Sequence, residues 1–210
     1  MITDFSLTRM DAYIQKELKE KNAKIIAFSI CLMLPGFAVK AFAIFMLVAF
    51  LLPADIKGKK SDALYFLPFS RKELFIYTLL FVLTVVSAIN IIYLSVININ
   101  YIDKLLYLVK IINFTLAIFG IVMLSVSFNL DNIGMPILFL IIDIIIGGLG
   151  TTSYLNSNFN PYSLISPIYQ KNILLSFIFA VALCSLAFYV FLKKGGEIEW
   201  FWKSNIYKRW

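Results

Sequence analysis

The sequence predicts an all-α, polytopic integral membrane protein: six transmembrane helices, an N-terminal interfacial amphipathic helix, and both termini on the cytoplasmic side. Two observations carry this. Of the 210 residues, 61% are hydrophobic and only 15% are charged, more apolar surface than a soluble chain of this length can bury. The positive charges are also ordered: five Lys and Arg precede residue 25, five lie between 57 and 72, and five follow 192, out of 19 in all. Six spans put all three clusters on one side of the membrane, as the positive-inside rule favours, whereas five would leave the basic N-terminal segment outside.

Residues 1–24 form the interfacial segment. Thr8 and Asp11 make a capping box that would open a helix to Lys24. Met10, Ile14 and Leu18 recur on one face with Tyr13 beside them, and the pairs Glu17–Lys21 and Glu20–Lys24 fall on the other. Such a helix lies along the inner leaflet. The first apolar run begins only after this charged stretch, so no cleavable signal is expected.

Residues 25–192 form the transmembrane domain, with apolar runs at 25–39, 41–54, 74–98, 105–128, 134–152 and 172–192. The last four can each cross a hydrocarbon core of about 30 Å at about 1.5 Å per residue. The first two reach only about 22 Å as helix. Pro35-Gly36 and then Lys40 stand at their junction, so they are one kinked span or a tight pair. Charge parity selects the pair, short, tilted, or extended by snorkelling of Lys21, Lys24 and Lys57. Outer connections are expected near 98–104 and, with the breakers Asn160-Pro161 and Ser166-Pro167, near 153–171. Asn129 to Gly134 makes a small inner turn. The tail 193–210 mixes Trp200, Trp202 and Trp210 with Lys203, Lys208 and Arg209, which suits anchoring to an anionic inner leaflet.

Much chemistry is excluded. The chain has no histidine, and its two cysteines, Cys31 and Cys184, are far apart within spans, where they read as buried free thiols. No phosphate-binding GxxxxGK[ST] loop occurs, so any ATP and magnesium belong to another polypeptide, and this chain binds no cofactor of its own. The net charge of +7 is a topology signal; without a soluble basic face bearing stacking aromatics, nucleic acid is not an expected partner. Within the spans, Asp143 is a carboxylate in an apolar run, and it either lines a translocation path or stays protonated as a packing hydrogen-bonder. Lys110 either pairs with it or snorkels outward. Thr84, Ser87 and Asn90 are expected to bond between helices.

The cytoplasmic segment 55–73 is the most informative. Its apolar knot, Leu64, Tyr65, Phe66 and Leu67, follows Asp62 and is bracketed by Lys57, Lys59 and Lys60 before it and by Arg71 and Lys72 after it. Ser70 and Glu73 form a capping box at the start of the next span, and Phe69 and Leu74 stand where a hydrophobic staple would fix the approach of the chain. Any cytoplasmic loop is basic and many helices are capped, so the pattern alone does not name a function.

The wording does. Leu67, Pro68, Ser70, Arg71, Lys72 and Glu73 resemble the Leu-Pro-x-Ser-Arg-Lys-Glu signature of the small type-2 ABC exporter permeases of bacterial peptide-export, toxin-export and antibiotic-immunity systems. Thr78 stands where many members carry lysine. Arg9-Met10-Asp11 is similar to the opening of their elbow helix. The resemblance implies a permease in the bacterial cell membrane, dimeric with an identical or sister subunit and docked on a cytoplasmic ABC ATPase subunit. Asp62 to Phe69 would insert in a groove of that ATPase, with Leu64, Tyr65, Phe66 and Leu67 as the buried contact. Arg71 and Lys72 would set orientation against acidic groups or lipid. The substrate class it implies is a hydrophobic or amphipathic molecule, a peptide first. The competing reading is a channel or membrane scaffold without an ATPase; a membrane enzyme is disfavoured by the absent histidine.

Overall fold

Caps and breakers divide the chain into seven described helices. They are α1 (Ile2–Met33), α2 (Phe37–Phe50), α3 (Leu52–Lys57), α4 (Arg71–Val96), α5 (Tyr101–Ser127), α6 (Gly134–Thr152) and α7 (Ile173–Lys194). The computed structural model describes residues 2–57, 69–152 and 172–194, and no strand occurs among them. Helices α4, α5 and α7 are each long and apolar enough to cross a membrane. This is an all-helical membrane protein.

Helix α1 does not open at Thr8. It begins at Ile2, because nothing between Ile2 and Leu7 breaks a helix, and the expected capping box lies inside it. The real discontinuity is Lys21, whose φ of −122° and ψ of 16° leave the helical region and kink the helix there. After Met33 the chain reverses at Leu34 to Gly36. Gly36 has φ +104°, a conformation costly for any residue with a Cβ, and so the first two apolar runs are a tight helix pair. Phe28 stacks on Phe50 at 5.8 Å, holding the two arms antiparallel.

This hairpin is shallow. Residues 22–33 rise about 18 Å and α2 about 21 Å, against about 30 Å of hydrocarbon. The register agrees: Phe37, the first residue of α2, meets Phe114, midway along α5, in an edge contact at 5.4 Å. Helix α5 therefore runs on past the tip of the α1–α2 pair.

Helix α4 starts three residues earlier than the apolar run, at Arg71, because Ser70 caps it. Helix α5 takes over much of the expected outer connection and starts at Tyr101. Asp103 in its first turn suits the positive end of the helix dipole, and Lys104 N–H bonds Asn100 C=O at 3.1 Å. Asp131 accepts from Gly134 N–H at 2.6 Å and opens α6; Asn172 accepts from Leu175 N–H at 3.2 Å and opens α7.

The core is built on α5. Its most apolar stretch is 56% buried, against 28% for α4 and 22% for α7, so the other helices pack around it. Phe75 of α4 joins Phe119 of α5 and Phe188 of α7 at 5.1 Å each, a three-helix aromatic contact of the kind that adds to simple area burial. The closest approach is α5 on α7. A Cβ at Gly120 would lie 3.1 Å from Cys184 N and 3.1 Å from Leu183 C, which is backbone that cannot swing aside. Here the missing side chain sets the interhelical distance. Helix α6 packs on α5 and leaves Leu138, Phe139, Ile141, Ile142 and Ile145 exposed, as lipid-facing surface would be. Both cysteines are free, as read from the sequence.

Gly120→Leu is expected to lower stability by about 3 kcal/mol, the upper range for overpacking, because backbone must move to admit it. The thermal midpoint of the detergent-purified protein is the readout, with the exposed substitution Ile91→Leu expected to leave it unchanged.

Candidate functional site

The polar groups converge at one end of the bundle, where α1, α3, the start of α4 and the α5–α6 turn meet. Ser70 has an extended backbone (φ −75°, ψ 156°); its hydroxyl accepts from Glu73 N–H at 3.2 Å, while Glu73 Oε2 accepts from Ser70 N–H at 2.7 Å. The capping box is complete. The other carboxylate oxygen, Oε1, takes a hydrogen bond from Arg9 Nη1 at 3.0 Å, so one glutamate joins the start of α4 to α1.

One turn deeper, Tyr13 is fully buried and its hydroxyl lies 2.7 Å from Thr78 Oγ1. The single Thr78 proton goes to Leu74 C=O at 2.6 Å, which leaves Tyr13 as the donor. Burial, with the Glu17 carboxylate nearby, pushes the Tyr13 hydroxyl well above its ordinary pKa and keeps it protonated for this role. Phe69 sets its ring edge-on to Tyr13 at 6.3 Å and to Tyr77 at 6.2 Å, so it clamps α4 to α1 across the helices.

Beneath this lies a buried ionic tetrad. Lys21 Nζ is 2.7 Å from Asp55 Oδ2 and 2.8 Å from Glu17 Oε2; Lys16 Nζ is 3.2 Å from each of the two carboxylates. Glu17 is fully buried and Asp55 nearly so. Burial alone would lower the Lys16 pKa, but Glu17 and Asp55 beside it outweigh that and raise it. The expected Glu17–Lys21 pair is present, yet it faces the protein and not water. Glu20 pairs with Lys16 at 3.5 Å, while Lys24 places its ammonium 4.4 Å above the Phe50 ring, so the expected Glu20–Lys24 pair gives way to these partners. Leu18 is the exposed residue of the face read as apolar.

The other flank is fixed as well. Lys57 Nζ donates to Asn129 C=O at 2.9 Å and to Asn129 Oδ1 at 3.1 Å, and Asn132 Nδ2 donates to Ala49 C=O at 3.0 Å. The α5–α6 turn is thereby pinned to α2 and α3. Asn129 adopts φ 60°, which asparagine tolerates better than most residues. Both flanks of segment 58–68 are thus tied to the bundle: Lys57 to the α5–α6 turn, and Phe69 and Glu73 to α1.

Of the residues singled out from the sequence, Ser70, Arg71, Lys72 and Glu73 sit at the start of α4, with Arg71 half-buried and Lys72 exposed. Asp62, Leu64, Tyr65, Phe66, Leu67 and Pro68 lie outside the described residues, as do the outer segment 153–171 and the tail from 195 onward. Asp143 lies on α6, its side chain outside the described set; Lys110 is half-buried, about 13 Å along α5 from Tyr101, deeper than its place in the apolar run suggested. Thr84 bonds within its own helix, to Leu80 C=O at 2.8 Å, whereas Asn90 does bond between helices.

Sequence reading did not single out Asp55, Thr78 as a partner of Tyr13, or the fully buried Lys40. Asp55 carried a weak signal, an acid at the end of an apolar run. The Lys40 ammonium lies 3.1 Å from the centroid of the Tyr93 ring, 5.2 Å from that of Tyr107 and 3.2 Å from Asn90 Oδ1. No carboxylate among the described residues pairs with it. An uncompensated lysine at membrane depth costs about 2.5–3.5 kcal/mol on insertion scales, and a desolvated cation–π contact returns about 2 kcal/mol or more. No protein-family model, curated protein or solved structure matches the chain.

Asp55→Ala strips a shared carboxylate from two nearly buried lysines and is expected to lose about 3 kcal/mol, read as a lowered thermal midpoint with faster proteolysis of α1. The Arg9–Glu73 pair is about a quarter exposed, so a double-mutant cycle of Arg9→Gln and Glu73→Gln is expected to give a coupling of only about 0.5 kcal/mol.

Proposed function

We propose that the chain is the membrane-spanning permease subunit of an ATP-binding-cassette exporter. It couples ATP hydrolysis on a separate cytoplasmic ATPase to export of a hydrophobic or amphipathic substrate, a peptide first. The observation that supports this most is mechanical. Segment 58–68 is held on both flanks, by Lys57 on the α5–α6 turn and by Glu73 and Phe69 on α1, so a force applied there reaches both parts of the bundle. A channel or scaffold has no need of flanks braced in this way.

Two further features agree. Arg71 and Lys72 occupy the first turn of α4, the positive end of the helix dipole, where a cation is disfavoured. An acidic partner surface or lipid phosphates outside the chain would offset that repulsion. The shallow hairpin leaves topology unchanged, because a pair that enters and leaves from the inner side keeps the same parity as two full spans. The N-terminus, segment 58–68, the α5–α6 turn and the tail then share the cytoplasmic side of a bacterial cell membrane, and the basic clusters obey the positive-inside rule. The working unit is a dimer with an identical or sister permease.

Co-expression with the ABC ATPase encoded beside it is the test. A complex that survives detergent extraction is expected, and Phe66→Ala with Leu67→Ala is expected to abolish both the complex and substrate-stimulated ATP hydrolysis without loss of membrane insertion, because aliphatic and aromatic anchors dominate such contacts. Retained coupling in the double variant sinks the assignment of the docking segment; absence of any ATPase complex with the wild-type chain sinks the exporter reading itself.

A further inference from the structure

The tip of the α1–α2 hairpin is loosely seated. A Cβ added at Gly36 would meet nothing within 4 Å, and Ala38 and Val39 are exposed. Two contacts hold α2 there: the Phe37–Phe114 edge contact and the buried Lys40. The surroundings of Lys40 have the form of a recognition site. The Tyr93 and Tyr107 rings, from α4 and α5, stand 6.5 Å apart with their planes 35° from parallel, both within cation–π range of the ammonium. Asn90 is oriented in advance: its Nδ2 donates to Val86 C=O at 2.8 Å, which turns Oδ1 toward the cation.

We propose that Asn90, Tyr93 and Tyr107 form a socket for a primary alkylammonium group, which the chain fills with its own Lys40 and thereby docks the hairpin. The socket lies on α4 and α5, whereas its occupant is carried by α2, so withdrawal of the hairpin leaves the site formed and open to another ligand of the same class. The chemistry selects that class. Two ring faces and one amide oxygen stabilise a soft organic cation with a proton to donate. A metal ion would find one hard oxygen where magnesium or calcium requires six or so, and it would keep its water. This inference stands apart from the exporter reading, because its test uses the purified full-length chain without an ATPase.

Lys40→Ala removes three methylenes and the ammonium, and n-propylammonium supplies those atoms. In detergent, Lys40→Ala is expected to lower the thermal midpoint by several degrees, and millimolar n-propylammonium chloride to restore most of the loss. The wild type, already filled, should not respond, and n-propanol or sodium chloride should rescue neither. Lys40→Ala combined with Tyr93→Leu should be refractory. An equal response of wild type and Lys40→Ala, rescue that persists without Tyr93, or a folded Lys40→Ala that n-propylammonium does not stabilise overturns the proposal. Should Lys40→Ala not fold, the ring decides: Tyr93→Phe keeps the π face and should hold the wild-type midpoint, whereas Tyr93→Leu should fall by several degrees. Equal losses in those two variants overturn the socket as well.

Discussion

Charge withdrawn from water at one end of the bundle governs how it is assembled. Glu17 and Asp55 are buried, and each is tolerable there only because Lys16 and Lys21 lie within 3.2 Å. Desolvation offsets much of the Coulomb attraction in such a group, so its main effect is on geometry: any placement of α1 that separates the four charges leaves one of them buried and unpaired. Lys21 is both the residue at which α1 leaves helical geometry and a bridge between Glu17 and Asp55. The bend and the ionic contact therefore constrain one another, and α1 can turn into the bundle at that angle only where Asp55 waits.

From that junction the shallow hairpin follows. Both arms are shorter than α4 and α5, and α2 begins level with the middle of α5. Its tip would carry an ammonium into the bundle with no ion-pair partner among the described residues, and the Tyr93, Tyr107 and Asn90 cage compensates that charge. The opposite side of the bundle is organised by the absence of a side chain, at Gly120, which lets α7 approach α5 to backbone contact. Between these two sides the Phe75, Phe119 and Phe188 contact joins α4, α5 and α7.

The same inner junction makes segment 58–68 a mechanical input in the exporter reading. Arg9 and Tyr13 hold α1 to the start of α4, and Lys16 and Lys21 hold it to α3, so α1 is bonded to the elements on both sides of that segment. Thr78 stands where the resembling permeases often carry lysine; here its oxygen accepts the Tyr13 hydroxyl, a neutral contact in place of a cation.

The sequence alone determined the membrane class, the all-helical architecture and the limits of α4, α6 and α7 to within about three residues, because these depend on local composition, caps and breakers; it missed the start of α1 by six residues. The Ser70–Glu73 box and the Glu17–Lys21 pair were legible for the same reason: their partners are three and four residues apart. Tertiary structure alone decided that the charged face of α1 turns inward, since Asp55 is 34 positions from Lys21 and no periodicity relates them. It also decided that Lys40 is fully buried beside Tyr93 and Asn90, that Thr84 bonds within its own helix, and that α2 begins level with the middle of α5. A single helix reveals which of its faces is apolar. It carries no record of which neighbour that face will meet or at what depth, and in this protein the depth of the hairpin and the partners of its charges set the candidate sites.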